Sequence, residues 1–337
     1  MLCVGFVRGW LEIGVTQWAL GGRLLGFLVL LGYLSAGYFL VAYFGSRGLR
    51  RFIETIAVTA VAIVLVKVIL RLTGLEMMPT PNFEGFAGNR NAFVFQLLAV
   101  ISFLLVYTST YVKTLYPGTL NLRGALFVLL LATLFLGVIW TGSRAGWGTG
   151  AIMILVAWRW RLADRRILGW AIVLMFLLWL SPWAFSYLGS FLSPGVVHSF
   201  SMQSALTSES SDHERWRSYI HAMELWQGSP LLGAGLGFFI SRSPEWFGYP
   251  VVIHSTPLWF LAELGLLGLV AFGGSGFILL RYIVRVRRAV SADRILLLLL
   301  LCFAVFGLVH EIFFQRIFWL ALGVLLARNY AERESAA

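Results

Sequence analysis

Charge is scarce in this chain. Only 12% of its 337 residues are charged, against about 25% in soluble domains. With 59% hydrophobic residues and a mean hydropathy of +0.84, a water-soluble globular protein is excluded. Cysteine is nearly absent. Cys3 and Cys302 are far apart in sequence and Cys302 sits in an apolar run, so neither a disulfide nor a cysteine metal site is expected. Lysine is almost missing too: among 26 basic residues only Lys67 and Lys113 are lysine. Regular alternation of apolar and polar residues is also lacking. That excludes a membrane β-barrel, whose strands alternate. The net charge of +11 points to cytoplasmic membrane loops rather than to nucleic acid, because membrane proteins concentrate basic residues there.

What is present is a series of long apolar runs. They fall at Leu24–Phe44, Phe52–Leu70, Ala92–Val112, Leu122–Trp140, Ala145–Trp158, Ile167–Leu188, Pro257–Leu280, Ile295–Val309 and Ile312–Ala327. An all-α integral membrane protein with about nine transmembrane helices is expected. The fifth run and the last two are short against the roughly 20 residues a bilayer requires. Every second loop is basic: Arg47, Arg50 and Arg51; Lys113 and Arg123; Arg159, Arg161, Arg165 and Arg166; Arg281, Arg285, Arg287, Arg288 and Arg294. The positive-inside rule puts these loops and the C-terminal tail in the cytoplasm. Expected divisions are then 1–23 as an interfacial or truncated segment, 24–188 as six membrane helices, 189–253 as a long periplasmic loop, 254–327 as three more helices, and 328–337 as a tail.

The long loop, Gly189 to Ile253, holds most of the polar chemistry. It contains Asp212-His213-Glu214-Arg215-Trp216-Arg217, which reads as a helix start with Asp212 as N-cap. Arg215 and Arg217 have two readings: anion ligands, or a local ion-pair cluster on an interfacial helix. The second reading is stronger for Arg217. Arg144 lies in the turn Gly142-Ser143-Arg144-Ala145-Gly146. A guanidinium at a helix N-terminus makes an anion site, and an arginine reaching for lipid headgroups is the equal alternative. His254 stands where the loop meets the next helix, ahead of Pro257. That position favours the neutral, basic imidazole. The glycine-rich stretch Gly233-Ala234-Gly235-Leu236-Gly237 reads as a tight turn, since no strand precedes it and no Lys-Ser/Thr follows. The remaining histidines show no metal-ligand spacing.

Several of these motifs occur in an informative order. Gly88-Asn89-Arg90-Asn91-Ala92 comes first, then Gly142-Ser143-Arg144-Ala145-Gly146. Arg215-x3-Tyr219 follows, with Pro230-Leu231-Leu232-Gly233-Ala234-Gly235 behind it. His254-Ser255-x7-Ala262-Glu263-Leu264-Gly265-x2-Gly268 closes the set. Together they resemble the O-antigen ligase/polymerase superfamily, over most of the chain. The resemblance implies a GT-C-like membrane glycosyltransferase of the bacterial inner membrane with its active site facing the periplasm. It implies transfer of a glycan from undecaprenyl diphosphate to lipid A core, or to a second lipid-linked glycan in a polymerase. It assigns His254 as base and Arg144 and Arg215 to the diphosphate. Arg90 and Arg217 are possible substrate contacts, and Glu263 has a supporting role. No cofactor or metal is expected, and membrane lipids are expected partners. Two departures stand out: fewer spans than the family carries, and Tyr219 where tryptophan is common. The second keeps Arg217 open as an alternative match to Arg215. A flippase for lipid-linked glycans is the rival class. It calls for charged residues along a path through the spans, where only Lys67 and Glu263 are expected.

Overall fold

A computed structural model describes residues 1–73, 83–85, 87–108, 110, 122–188, 209–285 and 290–334. Among these residues every regular element is helical. In chain order the helices are α1 (Leu2–Ile13), α2 (Gly26–Leu72), α3 (Arg90–Tyr107), α4 (Leu122–Trp140), α5 (Arg144–Arg159) and α6 (Arg165–Leu188). They continue with α7 (Glu209–Gly228), α8 (Phe238–Phe247), α9 (Thr256–Trp259), α10 (Gly265–Arg285), α11 (Ser291–Gly307) and α12 (Arg316–Glu334). Two π-helical segments, Trp18–Leu25 and Phe260–Leu264, lead into α2 and α10.

Five helical stretches among the described residues are long and apolar enough to cross a bilayer. They are Trp18–Gly45, Arg47–Leu70, Arg90–Tyr107, Leu122–Trp140 and Thr256–Val284. The first two are joined at Gly45, whose φ of 56° and ψ of −144° break the helix between them. Only glycine reaches such angles without steric cost. The first span starts six residues earlier than the Leu24 read from the sequence and takes in Arg23. That arginine is buried and paired with Glu311, which removes the reason to place it outside. The expected runs at 145–158, 167–188, 295–309 and 312–327 largely coincide with α5, α6, α11 and α12. They are not among the five. Lys113, Glu76, His198, Arg287, Arg288 and the stretch 189–208 of the long loop lie outside the described residues.

The chain divides into two compact units. One comprises Met1–Phe39, Ser208–Ala289 and Phe303–Val324, the other Leu40–Thr207, Val290–Cys302 and Leu325–Ala337. The first unit is built on an aromatic core. Trp259, Phe260, Phe313, Phe239 and Leu236 are buried in it. Phe260 stacks on Phe272 at 4.9 Å, and Trp259 and Phe313 meet at 5.8 Å. Helix α1 docks here through glycine. A Cβ on Gly9 would lie 2.7 Å from the Leu236 carbonyl oxygen, and one on Gly5 would lie 2.4 Å from the Leu264 side chain. Its opposite face leaves Val7, Trp10 and Leu11 exposed.

The second unit is centred on α3, which is buried along nearly its whole length. Small residues set its neighbours' approach. A Cβ on Gly137 of α4 would touch Val64 and Leu97 at 3.0 and 3.1 Å, and one on Gly146 of α5 would stand 2.5 Å from Val94. Ser102 Oγ donates to the Leu98 carbonyl, satisfying a hydroxyl that would otherwise be stranded in the core.

Candidate functional site

The first unit carries one constellation of polar side chains. Helix α7 presents Glu214, Arg215, Arg217 and Tyr219 within two turns. The three-to-four-residue spacing puts Arg215 and Tyr219 on one face. Tyr219 donates its hydroxyl to the backbone carbonyl of His254 at 2.7 Å. This bond ties the loop helix to the residue that opens the next span. Burial raises the Tyr219 pKa above its ordinary value, with Arg215 opposing, so the phenol keeps its proton and remains a donor. Ser255 caps α9 by accepting from the Leu258 amide, and Pro257 occupies the first turn. These local devices fix the backbone of His254 from both sides.

The imidazole of His254 is three-quarters buried in its side-chain area. Its Nε2 lies 3.8 Å from Glu214 Oε1. Its pKa falls below the ordinary 6.5, first because burial penalises the charged ring and second because Arg215 repels a proton. Glu214 and Glu311 pull the other way. Burial and Arg215 thus both favour the neutral form, whereas the sequence reading had the helix start as the cause. Glu214 also accepts from the Tyr249 hydroxyl.

Arg215 and Arg217 lie two residues apart and have different surroundings. Arg217 donates to the Trp246 carbonyl at 2.6 Å and lies 4.8 Å over the Phe247 ring, so it braces α7 against α8. Arg215 is half-buried, and its Nε is buried without a hydrogen-bond partner among the described residues. An unsatisfied guanidinium nitrogen costs desolvation energy unless an anion meets it.

Beneath this layer lies a buried charge network. Glu263, 1% exposed, accepts from the Trp259 indole at 2.7 Å and from the Gly237 amide at 3.0 Å. Gly237 has φ 76°, and a Cβ there would stand 2.8 Å from the Ala19 amide nitrogen. The glycine-rich stretch is a turn, as the sequence suggested, but a turn wrapped on a carboxylate. Arg23 pairs with Glu311 through both guanidinium η nitrogens and lies 4.6 Å over the Trp259 ring. Thr256 Oγ1 donates to the His310 carbonyl and accepts from the Ile312 amide, fixing the Glu311 turn to the helix that follows His254. Sequence reasoning did not single out Arg23. An arginine so close to an apolar run was the available signal.

The second unit holds Arg90 and Arg144. Each is the first residue of its helix, α3 and α5. Asn89 caps α3 by accepting from the Asn91 and Ala92 amides, and Ser143 caps α5 by accepting from the Gly146 amide. Ser143 Oγ also donates to Asn91 Oδ1 at 2.9 Å, so the two helix N-termini are bonded side by side. Gly142, with φ 64°, makes the tight turn before Ser143. Arg144 is exposed and Arg90 half-buried. Two positive helix ends thus lie side by side, each opening on an arginine, and helix N-termini suit an anion. Among the described residues no group of three or more His, Cys, Asp or Glu side chains could hold a metal ion.

Helices long and apolar enough to cross a bilayer describe a membrane protein, and it carries a largely buried histidine close to an arginine and capped helix ends bearing arginine. Residues 126–273 match the family model described as O-antigen ligase, Wzy_C. The match supports the O-antigen ligase/polymerase superfamily already suggested by the motifs, and with it a membrane enzyme of glycosyltransferase type. It takes in Arg144, Arg215, Arg217, His254 and Glu263, while Arg90, Arg23 and Glu311 lie outside it. No curated protein matches the chain.

Proposed function

We propose that the protein transfers a glycan from undecaprenyl diphosphate to an acceptor hydroxyl at the periplasmic membrane face, as an O-antigen ligase does with lipid A core. One observation carries the reading: within a segment of O-antigen ligase type, the partnerless Nε of Arg215 stands beside a histidine held neutral. In this reading His254 takes the proton from the acceptor hydroxyl. The hydroxyl oxygen bonds to the anomeric carbon as the bond from that carbon to the diphosphate oxygen breaks. The electron pair leaves with the lipid diphosphate, and the anomeric centre inverts. Arg215 stabilises the charge on the departing diphosphate. Arg144 and Arg90 keep the donor-binding roles that the resemblance implies, and guanidinium groups supply charge stabilisation without calling on a metal or cofactor. Arg217 braces α7, and Glu263 shapes the turn at Gly237.

The topology that goes with this reading has α5, α6, α11 and α12 joining the five spans to give about nine. The C-terminus is cytoplasmic and the protein lies in a bacterial inner membrane. The experiment is reconstitution of the full chain in vesicles with a lipid-linked glycan and one of two acceptors, lipid A core or a second lipid-linked glycan. Transfer to the core supports ligation, and transfer to the lipid-linked glycan makes the enzyme a polymerase. Donor movement across the bilayer with no transfer overturns the reading in favour of a flippase. His254→Ala is expected to keep donor binding and to lose transfer by a factor of about 10²–10⁴, the usual contribution of a general base.

A further inference from the structure

A second site lies in the second unit, at the end of α3 opposite Arg90. Seventeen steps along the helix take Arg90 to Tyr107, a rise of roughly 25 Å at 1.5 Å per residue, so the two stand at opposite ends of a helix of nearly membrane-core length. At the Tyr107 end there is a cavity of about 360 Å³. Three helix ends enclose it: the start of the Arg47–Leu70 span, the last turn of α3 and the first turn of α4. Its polar lining is Arg50, Glu54, Tyr107 and Arg123. An adjoining cavity of about 260 Å³ shares Arg50 and Glu54 and adds Arg47 and Arg51.

Four arginines therefore face one carboxylate, and that carboxylate is already engaged. Glu54 Oε1 accepts from Arg50 Nε and from the Tyr107 hydroxyl, each at 2.8 Å. The contact holds Arg50 by its Nε and leaves its η nitrogens outside that bond. The rest of the wall is apolar, and Val58 and Leu126 are exposed on it by 61% and 53%. A ligand fitting this lining carries a compact anion at one end and hydrocarbon at the other. Guanidinium groups match phosphate oxygens, and basic pockets between membrane helices suit phospholipid headgroups. We propose that this cavity binds the phosphodiester headgroup of an anionic phospholipid, with an acyl chain along Val58 and Leu126. The inference does not depend on the transfer reaction, whose residues lie elsewhere.

The test is native mass spectrometry of the detergent-solubilised full chain, titrated separately with phosphatidylglycerol, phosphatidylcholine and inorganic phosphate. Saturable, preferential binding of phosphatidylglycerol is expected. Each arginine near the headgroup is worth about fivefold in affinity, so Arg50→Gln with Arg123→Gln weakens binding roughly 30-fold. Glu54→Gln removes the cavity's one carboxylate while keeping an acceptor for Arg50. It is expected to tighten binding by a few-fold, a direction that misfolding does not produce. Equal affinity for phosphatidylglycerol in the wild type and the double variant overturns the proposal. So does phosphatidylcholine binding as tight as phosphatidylglycerol, or no gain in Glu54→Gln. Inorganic phosphate binding where phosphatidylglycerol does not would rule out the lipid source.

Discussion

The two arginine-bearing regions are built differently. In the second unit, Arg144 is exposed at the start of a helix whose end is held by caps: Ser143 on its own helix, Asn89 on the neighbour, and a bond between Ser143 and Asn91. These cap bonds are local or join two helix ends. In the first unit, Arg215 is half-buried with an unsatisfied Nε, beside an imidazole that burial keeps neutral. Its support comes from distant parts of the chain: the Tyr219 bond to His254, Glu263 on Gly237, and Arg23 on Glu311. The first arrangement offers charge at little desolvation cost. The second holds a cation and an imidazole whose neutral form is favoured in place by packing. Preorganised charge is what stabilises a developing anion without reorganisation.

The largest expected effect separates Arg215 from Arg217. Loss of one preorganised donor at a developing charge costs about 10²–10³-fold in rate. Arg215→Gln is expected to fall by that much in a reconstituted transfer assay. Arg217→Gln, which loses the Trp246 and Phe247 contacts, is expected to lower thermal stability more than rate. If Arg217→Gln instead abolishes transfer in a stably folded protein, the contrast drawn between the two arginines is wrong.

A smaller effect tests the packing of the second unit. Alanine is a better helix former than glycine by about 0.5–1 kcal/mol. At Gly148 of α5 an added Cβ meets nothing within 4 Å, so Gly148→Ala is expected to raise the unfolding temperature. At Gly146, one turn-half away, it meets the stiff side chain of Val94 at 2.5 Å. Overpacking costs about 1–3 kcal/mol, and Gly146→Ala is expected to lower the temperature. Shifts of the same sign at both positions would mean that α5 does not approach α3 this closely.

The smallest effect is a pH shift. His254 must be neutral to accept a proton, and burial and Arg215 both depress its pKa. Activity is therefore expected to persist as pH falls through 6.5 and to decline only below it. Replacing Arg215 by glutamine removes a positive neighbour while Glu214 and Glu311 remain. The acid limb of the residual activity should then move upward. An unmoved limb would show that Arg215 does not act on the titrating group.

Much of the arrangement was legible beforehand where its cause is local. Asn89, Ser143 and Ser255 are residue types that cap helices, although the one cap expected from the sequence, Asp212, lies inside α7 and not at its start. Gly142 and Gly146 flanked a turn, and Pro257 stood in a first helical turn. The region around Glu263 was not legible. A glycine-rich stretch reads as a turn, but nothing in Gly233–Gly237 says that a carboxylate from residue 263 will accept the Gly237 amide. Arg23 fell unremarked in the expected segment 1–23, because a charge alone does not reveal its partner. Arg217 was weighed beside Arg215 because both sit on one short helix. Only the position of Trp246, 29 residues away, distinguishes them.

By itself, then, the sequence determined the apolar helices, their caps and breaks, and the residue types available for anion binding and proton transfer. These follow from periodicity, backbone preference and side-chain chemistry within a few residues. The tertiary structure decided that Arg215 Nε is buried without a hydrogen-bond partner among the described residues, what favours the neutral form of His254, and that Arg23 and Glu311 meet across 288 positions. Those outcomes depend on burial and on partners brought together by packing, and desolvation has no value until the neighbours are in place.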